Sequence, residues 1–313
     1  MLIFILKRIG FMILTMIVVS MLIFVLLETN LFNTGDVATR VLGAYVSDEQ
    51  KDMWREQHGY NRPTYIRYIG WLGNFATGNL GDSTRFKSPV NDIIWPRLWN
   101  TTILGFWVFA VMIPISLVFG ILSGMKEGSK LDRTISVVSI VTTSVPDFAS
   151  CVLWWFMLVF FFKLLPGTSG MAEGFEFKQL VLPVLVLVVY DFGYVARMTR
   201  ASMAEVMMTP YIRTAVLKGL PYNKVILKHA LRNALIAPFT VIMLQVNWLL
   251  SGVIVVEFFF AYKGFGALLL EASLNNDIAL LEACAMVAVF VAVGTQLLAD
   301  IGYTYLNPRI RFS

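Results

Sequence analysis

The chain has 313 residues, of which 58% are hydrophobic and 14% charged, with a net charge of +5 and a mean hydropathy of +0.72. A soluble domain carries roughly a quarter charged residues and slightly under half apolar ones, so this composition excludes an ordinary soluble enzyme and points to an integral membrane protein. There the position of a charge matters more than the sum, and no nucleic acid partner is expected. Cys151 and Cys284 lie in apolar runs with no second thiol nearby and no His–Cys spacing, and read as small core residues.

The chain opens with a basic start like that of a signal peptide. Its apolar run 9–27 is too long for one and has no small-residue cleavage site after it, so it reads as an uncleaved first span. About 20 apolar residues cross a hydrocarbon core of about 30 Å, and six segments approach that requirement: 9–29, 102–124, 134–163, 179–198, 236–258 and 280–303. The third is broken at Val145-Pro146-Asp147, where a kink or a short helix before the true span is expected. Asp191 weakens the fourth. The expected architecture is an all-α integral membrane protein with six transmembrane helices. It divides into an N-terminal helix (1–30), an extracytoplasmic loop (31–99) and a transmembrane core (100–313) with a cytoplasmic loop at 199–235.

Basic residues in short connections stay on the cytoplasmic side. With the N-terminus inside, fourteen Lys and Arg fall on that side, against Lys163, Lys178 and Lys263 outside, so both termini are expected in the cytoplasm. The long first outer connection predicts two short amphipathic helices within SDEQKDMWREQHGYNRPTYIRYIGWLGNF, with Ser47 as N-cap, Gln50 at the capping-box position and Gly59 near the end of the first.

There is no G-x-x-x-x-G-K-[ST] phosphate loop, no H-E-x-x-H, no G-x-S-x-G and no paired-cysteine metal motif. His58 and His229 fall on opposite sides of the expected membrane, so an enzyme has nothing to build on. Ionisable residues within spans are functional candidates by default. Glu257, Glu282 and Asp300 read as helix-end residues solvated by water and headgroups, and Asp147 as the cap of a restarting helix. Asp191, with Asp147, is a candidate for a translocation path, and a structural pair of Asp191 with a neighbouring helix or subunit is the other reading.

Residues 211–238, YIRTAVLKGLPYNKVILKHALRNALIAP, hold five Lys or Arg and no acid. Pro210 and Gly219 interrupt the loop, and Pro221 stands where a first-turn proline starts a helix. The pattern predicts helix, turn, helix. On the second helix Lys224, Lys228 and Arg232 form a basic stripe, and Tyr222, Ile226, Ala230, Asn233 and Ala237 another, mostly apolar face. A purely topogenic loop needs only the charge, whose stripe meets lipid phosphates; the apolar positions suit a cytoplasmic partner.

These residues resemble the cytoplasmic loop of binding-protein-dependent ABC importers, specifically the dipeptide/oligopeptide/nickel permease family. The likeness runs through Ala196-Arg197-Met198-Thr199-Arg200-Ala201-Ser202-Met203-Ala204-Glu205-Val206, then Tyr211-Ile212-Arg213-Thr214-Ala215-Val216-Leu217-Lys218-Gly219, then His229-Ala230-Leu231-Arg232-Asn233-Ala234 with Pro238. Arg62-Pro63 with Tyr65, Trp71-Leu72-Gly73-Asn74 and Gly78-Asn79-Leu80-Gly81 resemble the family's outer loop. The segment 252–257 with Phe260, Gly264, Gly266, Leu269 and Glu271, and the NPRIR ending, extend the likeness over nearly the whole chain. Two departures stand out: the usual Pro/Gly-rich signature after the first span is reduced to Asn33-Thr34-Gly35-Asp36, and Asp191 replaces a small or apolar residue.

The resemblance implies a permease without catalytic residues or cofactors of its own. ATP and Mg would sit on two partner ATPase subunits, and a homologous second permease and an extracytoplasmic substrate-binding protein would complete the complex. It implies an ATPase-coupling segment of Tyr211, Ile212, Arg213, Thr214, Ala215, Lys218 and Gly219, supported by Arg197, Arg200, Glu205, His229, Arg232 and Asn233. It also implies a binding-protein contact involving Glu257, Gly264, Gly266 and Glu271. Di- or oligopeptides are the expected cargo, with nickel chelates, glutathione and oligosaccharides as alternatives. A secondary transporter would need ion-coupling sites and usually an internal repeat, and the sequence offers neither.

Overall fold

A computed structural model describes residues 2–28, 36–43, 45–171 and 175–306. Over these the chain is helical, without a β-sheet; a single antiparallel bridge joins Asp82 and Pro89. Residues 33–35 of the reduced signature and the NPRIR ending lie outside the described residues. In chain order the helices are α1 (Leu2–Glu28), α2 (Val37–Leu42), α3 (Asp48–Gln57), α4 (Thr64–Ala76), α5 (Val90–Met125), α6 (Lys130–Ser144) and α7 (Asp147–Trp155), which continues as a π-helical stretch over Phe156–Phe161. They go on with α8 (Phe177–Met207), α9 (Pro210–Leu217), α10 (Tyr222–Lys224), a second π-helical stretch over Val225–Ala230, α11 (Leu231–Ala234), α12 (Ile236–Phe259), α13 (Phe265–Leu274) and α14 (Ile278–Leu306).

Four helices are long and apolar enough to cross a membrane (α1, α5, α8 and α14), and the number rises to six if each of two bent pairs counts as one span. One pair is α6 with Asp147–Phe161, bent by 101°; the other is Tyr222–Ala234 with Ile236–Val246, bent by 48°. The first bend has a local cause: Pro146 lacks an N–H and holds Val145 extended, at φ −87° and ψ 122°. Pro146 itself occupies the cap position and Asp147 is the first helical residue, without a capping hydrogen bond. The expectation that Asp147 caps the restarting helix is corrected accordingly. Asp191 does not interrupt α8, whose 31 residues rise about 46 Å, more than a hydrocarbon core requires.

The chain divides into two compact units, residues 1–100 with 264–294, and 101–263 with 295–313. In the first unit Ser47 caps α3 by accepting the Gln50 N–H, and Gly59 leaves the helix at φ +71°, as the sequence indicates. α4 and the turn before it are anchored to α1. Phe24 meets the rings of Tyr68 and Trp71 at 5.4 and 5.7 Å, Ser20 and Tyr68 share a hydrogen bond of 2.8 Å, Tyr60 donates to Glu28, and Arg67 pairs with Glu28. Asp36 pairs with Arg55 at 2.7 Å. Partial burial alone would raise the Asp36 carboxyl, but the hydrogen-bonded guanidinium and nearby backbone donors hold it below its ordinary value. Val90 and Ile94 of α5, Phe265, Leu268 and Ala272 of α13, and Leu280, Ala283 and Cys284 of α14 form this unit's core.

In the second unit α8 is the central element, packed against α6, α7 and α12. Glycines set the closeness of this packing. A Cβ on Gly124 of α5 would stand 2.6 Å from the Arg200 carbonyl oxygen, and one on Gly120 would strike Thr199 and the Ala196 carbonyl. On α8 itself, a Cβ on Gly193 would collide with the Ser139 carbonyl of α6. Gly120 and Gly124 form a G-x-x-x-G pair, which lets helix backbones approach within a membrane. Glu257 and Glu282, expected at solvated helix ends, are instead 0% and 2% exposed, while Asp300 is half-buried. Glu257 lies within an apolar helix and accepts from Thr101 Oγ1, so protein rather than water surrounds it.

Gly193→Leu should overpack the contact between α6 and α8 and cost about 1–3 kcal/mol or more. Thermal unfolding of the detergent-solubilised protein should register this as a lower midpoint. Gly10→Leu, where nothing lies within 4 Å of the added Cβ, should leave the midpoint unchanged.

Candidate functional site

The segment singled out by its charge begins where α8 stops. Thr209 is extended, at φ −71° and ψ 147°, and Pro210 takes the first position of α9, where its missing N–H costs nothing. Ile212 and Ala215, three residues apart, turn inward to a cluster with Met203, Val225, Ile226, Ala230 and Ala234. Tyr211, Arg213, Thr214, Val216, Leu217 and Lys218 face outward, with Leu217 79% exposed. Gly219 closes the turn at φ +72°, and nothing lies within 4 Å of its would-be Cβ. Its N–H reaches the Val216 carbonyl and the next N–H reaches Ala215. The result is a short helix fixed by two inward residues and presenting an apolar and basic outer face.

Pro221 stands one residue earlier than expected, at the cap of α10 with ψ 139°. The helix that follows widens into the π-helical stretch Val225–Ala230, and the predicted apolar face is corrected at several positions. At 3.6 residues per turn both Asn233 and Ala234 lie near the face of Ala230, Ala234 at about 40° and Asn233 at about 60°. The structure buries Ala234 and Pro238, leaves Tyr222 and Asn233 exposed and Ala237 half-buried, and buries Val225 beside Ile226. Lys224, Lys228 and Arg232 remain a solvent-facing stripe. Asn233 donates to the Tyr211 hydroxyl at 2.8 Å, tying α11 to α9, and the Tyr222 hydroxyl reaches the Met125 carbonyl at 3.4 Å. His229 is half-buried and Glu205 exposed at the end of α8.

Arg200 holds the base of this assembly. Its Nε and Nη2 span Asp132 Oδ1 and Oδ2 at 3.0 and 2.9 Å, and Nη2 also meets Glu127 at 3.2 Å. Asp132 is buried and further accepts from Ser123 Oγ and the Gly128 N–H. One carboxylate thus joins α5, the following turn, α6 and α8. Sequence reading named Arg200 but missed Asp132; its place three residues after Ser129, which caps α6, was the available signal. Arg197 donates to the Gly193 carbonyl at 3.2 Å and to Thr143 Oγ1 at 3.3 Å.

Asp191 is 1% exposed and accepts from Gln245 Nε2 of α12 at 2.7 Å, which is a pair with a neighbouring helix. Asp147 lies near enough to interact electrostatically with Asp191 and Tyr190. Beside this pair is a cavity of about 340 Å³ lined by Thr143, Tyr190, Tyr194, Arg197, Gln245 and Trp248. Glu257 is fully buried, with Thr101 Oγ1 donating to it, so its carboxylate is not on the surface a docking partner reaches. In the first unit Gly264 precedes α13 in extended conformation, Gly266 is buried, and Glu271 faces Arg85 of the outer loop at 3.8 Å. Asp277, missed from sequence, is fully buried and accepts from Ser83 Oγ, the Arg85 N–H and the Leu280 N–H. An Asp directly before the apolar run of α14 was its N-cap signal.

The fold and these sites define a helical protein with four to six candidate membrane spans and an outward-facing helix in one interhelical loop. A family model described as binding-protein-dependent transport system inner membrane component matches residues 116–312. The oligopeptide transport system permease protein AppB of Bacillus subtilis is 32% identical over 291 residues, covering 89% of this chain and 90% of its own. The dipeptide transport system permease protein DppB of Alkalihalophilus pseudofirmus is 32% identical over 302 residues, covering 89% and 91%. The chain belongs to the family of binding-protein-dependent transport system inner membrane components.

Asp132→Ala should leave the Arg200 guanidinium partly buried beside Glu127 alone and lower stability by about 2–3 kcal/mol. Arg200→Lys should recover less than half of the pair's contribution, because an ammonium cannot span both carboxylate oxygens. A double-mutant cycle on thermal unfolding of the solubilised protein measures the coupling.

Proposed function

We propose that this chain is the permease subunit of an ATP-driven importer of di- or oligopeptides, and that α9 is the element through which ATPase movements reach the membrane helices. The observation that carries the reading is α9 itself: Ile212 and Ala215 clamp it to the second unit, and Tyr211, Arg213, Val216, Leu217 and Lys218 offer a compact outer face. Such a face suits the cleft of a separate ATPase subunit. In this reading two such subunits bind ATP and Mg, a homologous permease pairs with this chain, and the loop 199–235 is cytoplasmic together with both termini. The bent pair of α6 and α7 then forms one span and α12 another, giving six. α8, held to α6 by Arg200–Asp132, would transmit displacement of α9 as a rigid body.

The extracytoplasmic binding protein would dock on the first unit, where the outer loop 31–99 and the segment containing Gly264, Gly266 and Glu271 belong together. Peptide as cargo is supported by the oligopeptide and dipeptide permeases to which the chain is similar.

Gly219→Asp should insert normally, since its added atoms meet open space and the left-handed backbone costs about 1–2 kcal/mol, yet should reduce peptide uptake to background. Arg213→Glu should weaken co-purification of the ATPase subunits while leaving the thermal midpoint unchanged. Normal uptake by the Gly219 variant would overturn the coupling assignment.

A further inference from the structure

The cavity beside Asp191 has a composition that coupling does not explain. Tyr190, Tyr194 and Arg197 follow one another on α8 at spacings of four and three residues and share one face. Gln245 and Trp248, three apart on α12, and Thr143 at the end of α6 complete the lining. The rings of Tyr190 and Trp248 stack with centroids 4.9 Å apart and planes 12° from parallel. Among the described residues no aliphatic side chain and no carboxylate lines the space.

Arg197 gives its Nε to a carbonyl and its Nη2 to a hydroxyl, and among the described residues it has no acidic partner. A guanidinium within a long apolar helix is costly without a counter-charge, and Nη1 remains to donate. Behind the wall, Asp191 fixes Gln245 by accepting one of its amide hydrogens. That bond sets the orientation of the whole amide, so the Gln245 carbonyl and second N–H are preorganised for whatever enters. The cavity therefore combines one cation, a fixed amide and a flat aromatic wall in about 340 Å³, near the lower end of small-molecule sites. That is room for a terminal residue, not for a docking protein segment.

We propose that this cavity is a subsite on the translocation path that receives the carboxylate end of a transported peptide. Arg197 takes the carboxylate, the Gln245 carbonyl takes the last peptide N–H, and the Tyr190–Trp248 stack packs against the terminal side chain. Asp191 is a positioning residue that acts through Gln245 and does not itself touch cargo. The proposal rests on the reading of the chain as a peptide permease.

The test uses the complete complex in proteoliposomes, with saturating binding protein, and compares maximal uptake of Ala-Ala-Phe, its C-terminal amide and Ala-Ala-Ala. Arg197→Gln should reduce the acid-to-amide uptake ratio by about ten-fold, and Trp248→Ala should reduce the Phe-to-Ala preference by about five-fold. Asp191→Asn, which still accepts from Gln245, should keep the wild-type acid-to-amide ratio, whereas Asp191→Leu should match Gln245→Leu. In a second measurement independent of uptake, a thiol reagent should label Tyr194→Cys, and Ala-Ala-Phe but not its amide should slow the labelling; the native Cys151 and Cys284 are buried.

No peptide uptake by the wild-type complex would refute the permease reading itself. Wild-type uptake with unchanged ratios in the Arg197 and Trp248 variants would overturn the subsite alone. Loss of the second permease from the Arg197→Gln complex would instead assign this face to the subunit interface and equally overturn it.

Discussion

The second unit depends on how closely helix backbones approach α8. Gly120 and Gly124 of α5 leave no room for a Cβ against Thr199, Arg200 and Met203, and Gly193 leaves none against α6. In a bilayer, where lipid tails are as apolar as side chains, such close packing and interhelical hydrogen bonds are the principal forces that hold helices together. Once α5 and α6 lie this near α8, Asp132 comes within reach of Arg200, and the end of α8 becomes a fixed point. The inward residues of α9 and the π-widened helix after it then share one cluster with Met203, so the outward face of α9 inherits its position from the glycines.

Buried polar groups follow the same logic. Asp191 with Gln245, Glu257 with Thr101 and Asp277 with Ser83 each place a carboxylate beside a donor from a distant segment. A buried carboxylate left without partners is expensive, and each of these bonds orients a neighbour as well. Gln245 is held for the cavity, and Asp277 ties the turn at Ser83 and Arg85 to the start of α14. Structural and functional readings of an intramembrane acid need not compete: Asp191 is paired, and its pairing shapes the wall of a cavity.

The first unit shows how a loop of nearly seventy residues becomes a body. α4 lays an aromatic face, Tyr68 and Trp71, on Phe24, while Tyr60 and Arg67 converge on Glu28 at the end of α1. Val90 and Ile94 meet α13 and α14 in a separate apolar core. Residues distant in the chain thereby form one surface.

Much of this was legible locally. The apolar runs located the long apolar helices, Pro146 the sharp break, Ser47 and Gln50 the cap of α3, and Gly219 the turn after α9, because each signal is carried by a few adjacent residues acting on their own backbone. The face after Ala230 was misread because Asn233 and Ala234, at i+3 and i+4, both lie near it and only packing chooses between them. The sequence by itself determined that the chain is a helical membrane protein with a basic, helix-forming loop of a recognisable family. Only the tertiary structure decided which polar residues meet. The partners lie 54 residues apart in Asp191 and Gln245, 68 in Arg200 and Asp132, and 194 in Ser83 and Asp277, and packing of remote helices, not local propensity, brings them within a hydrogen bond.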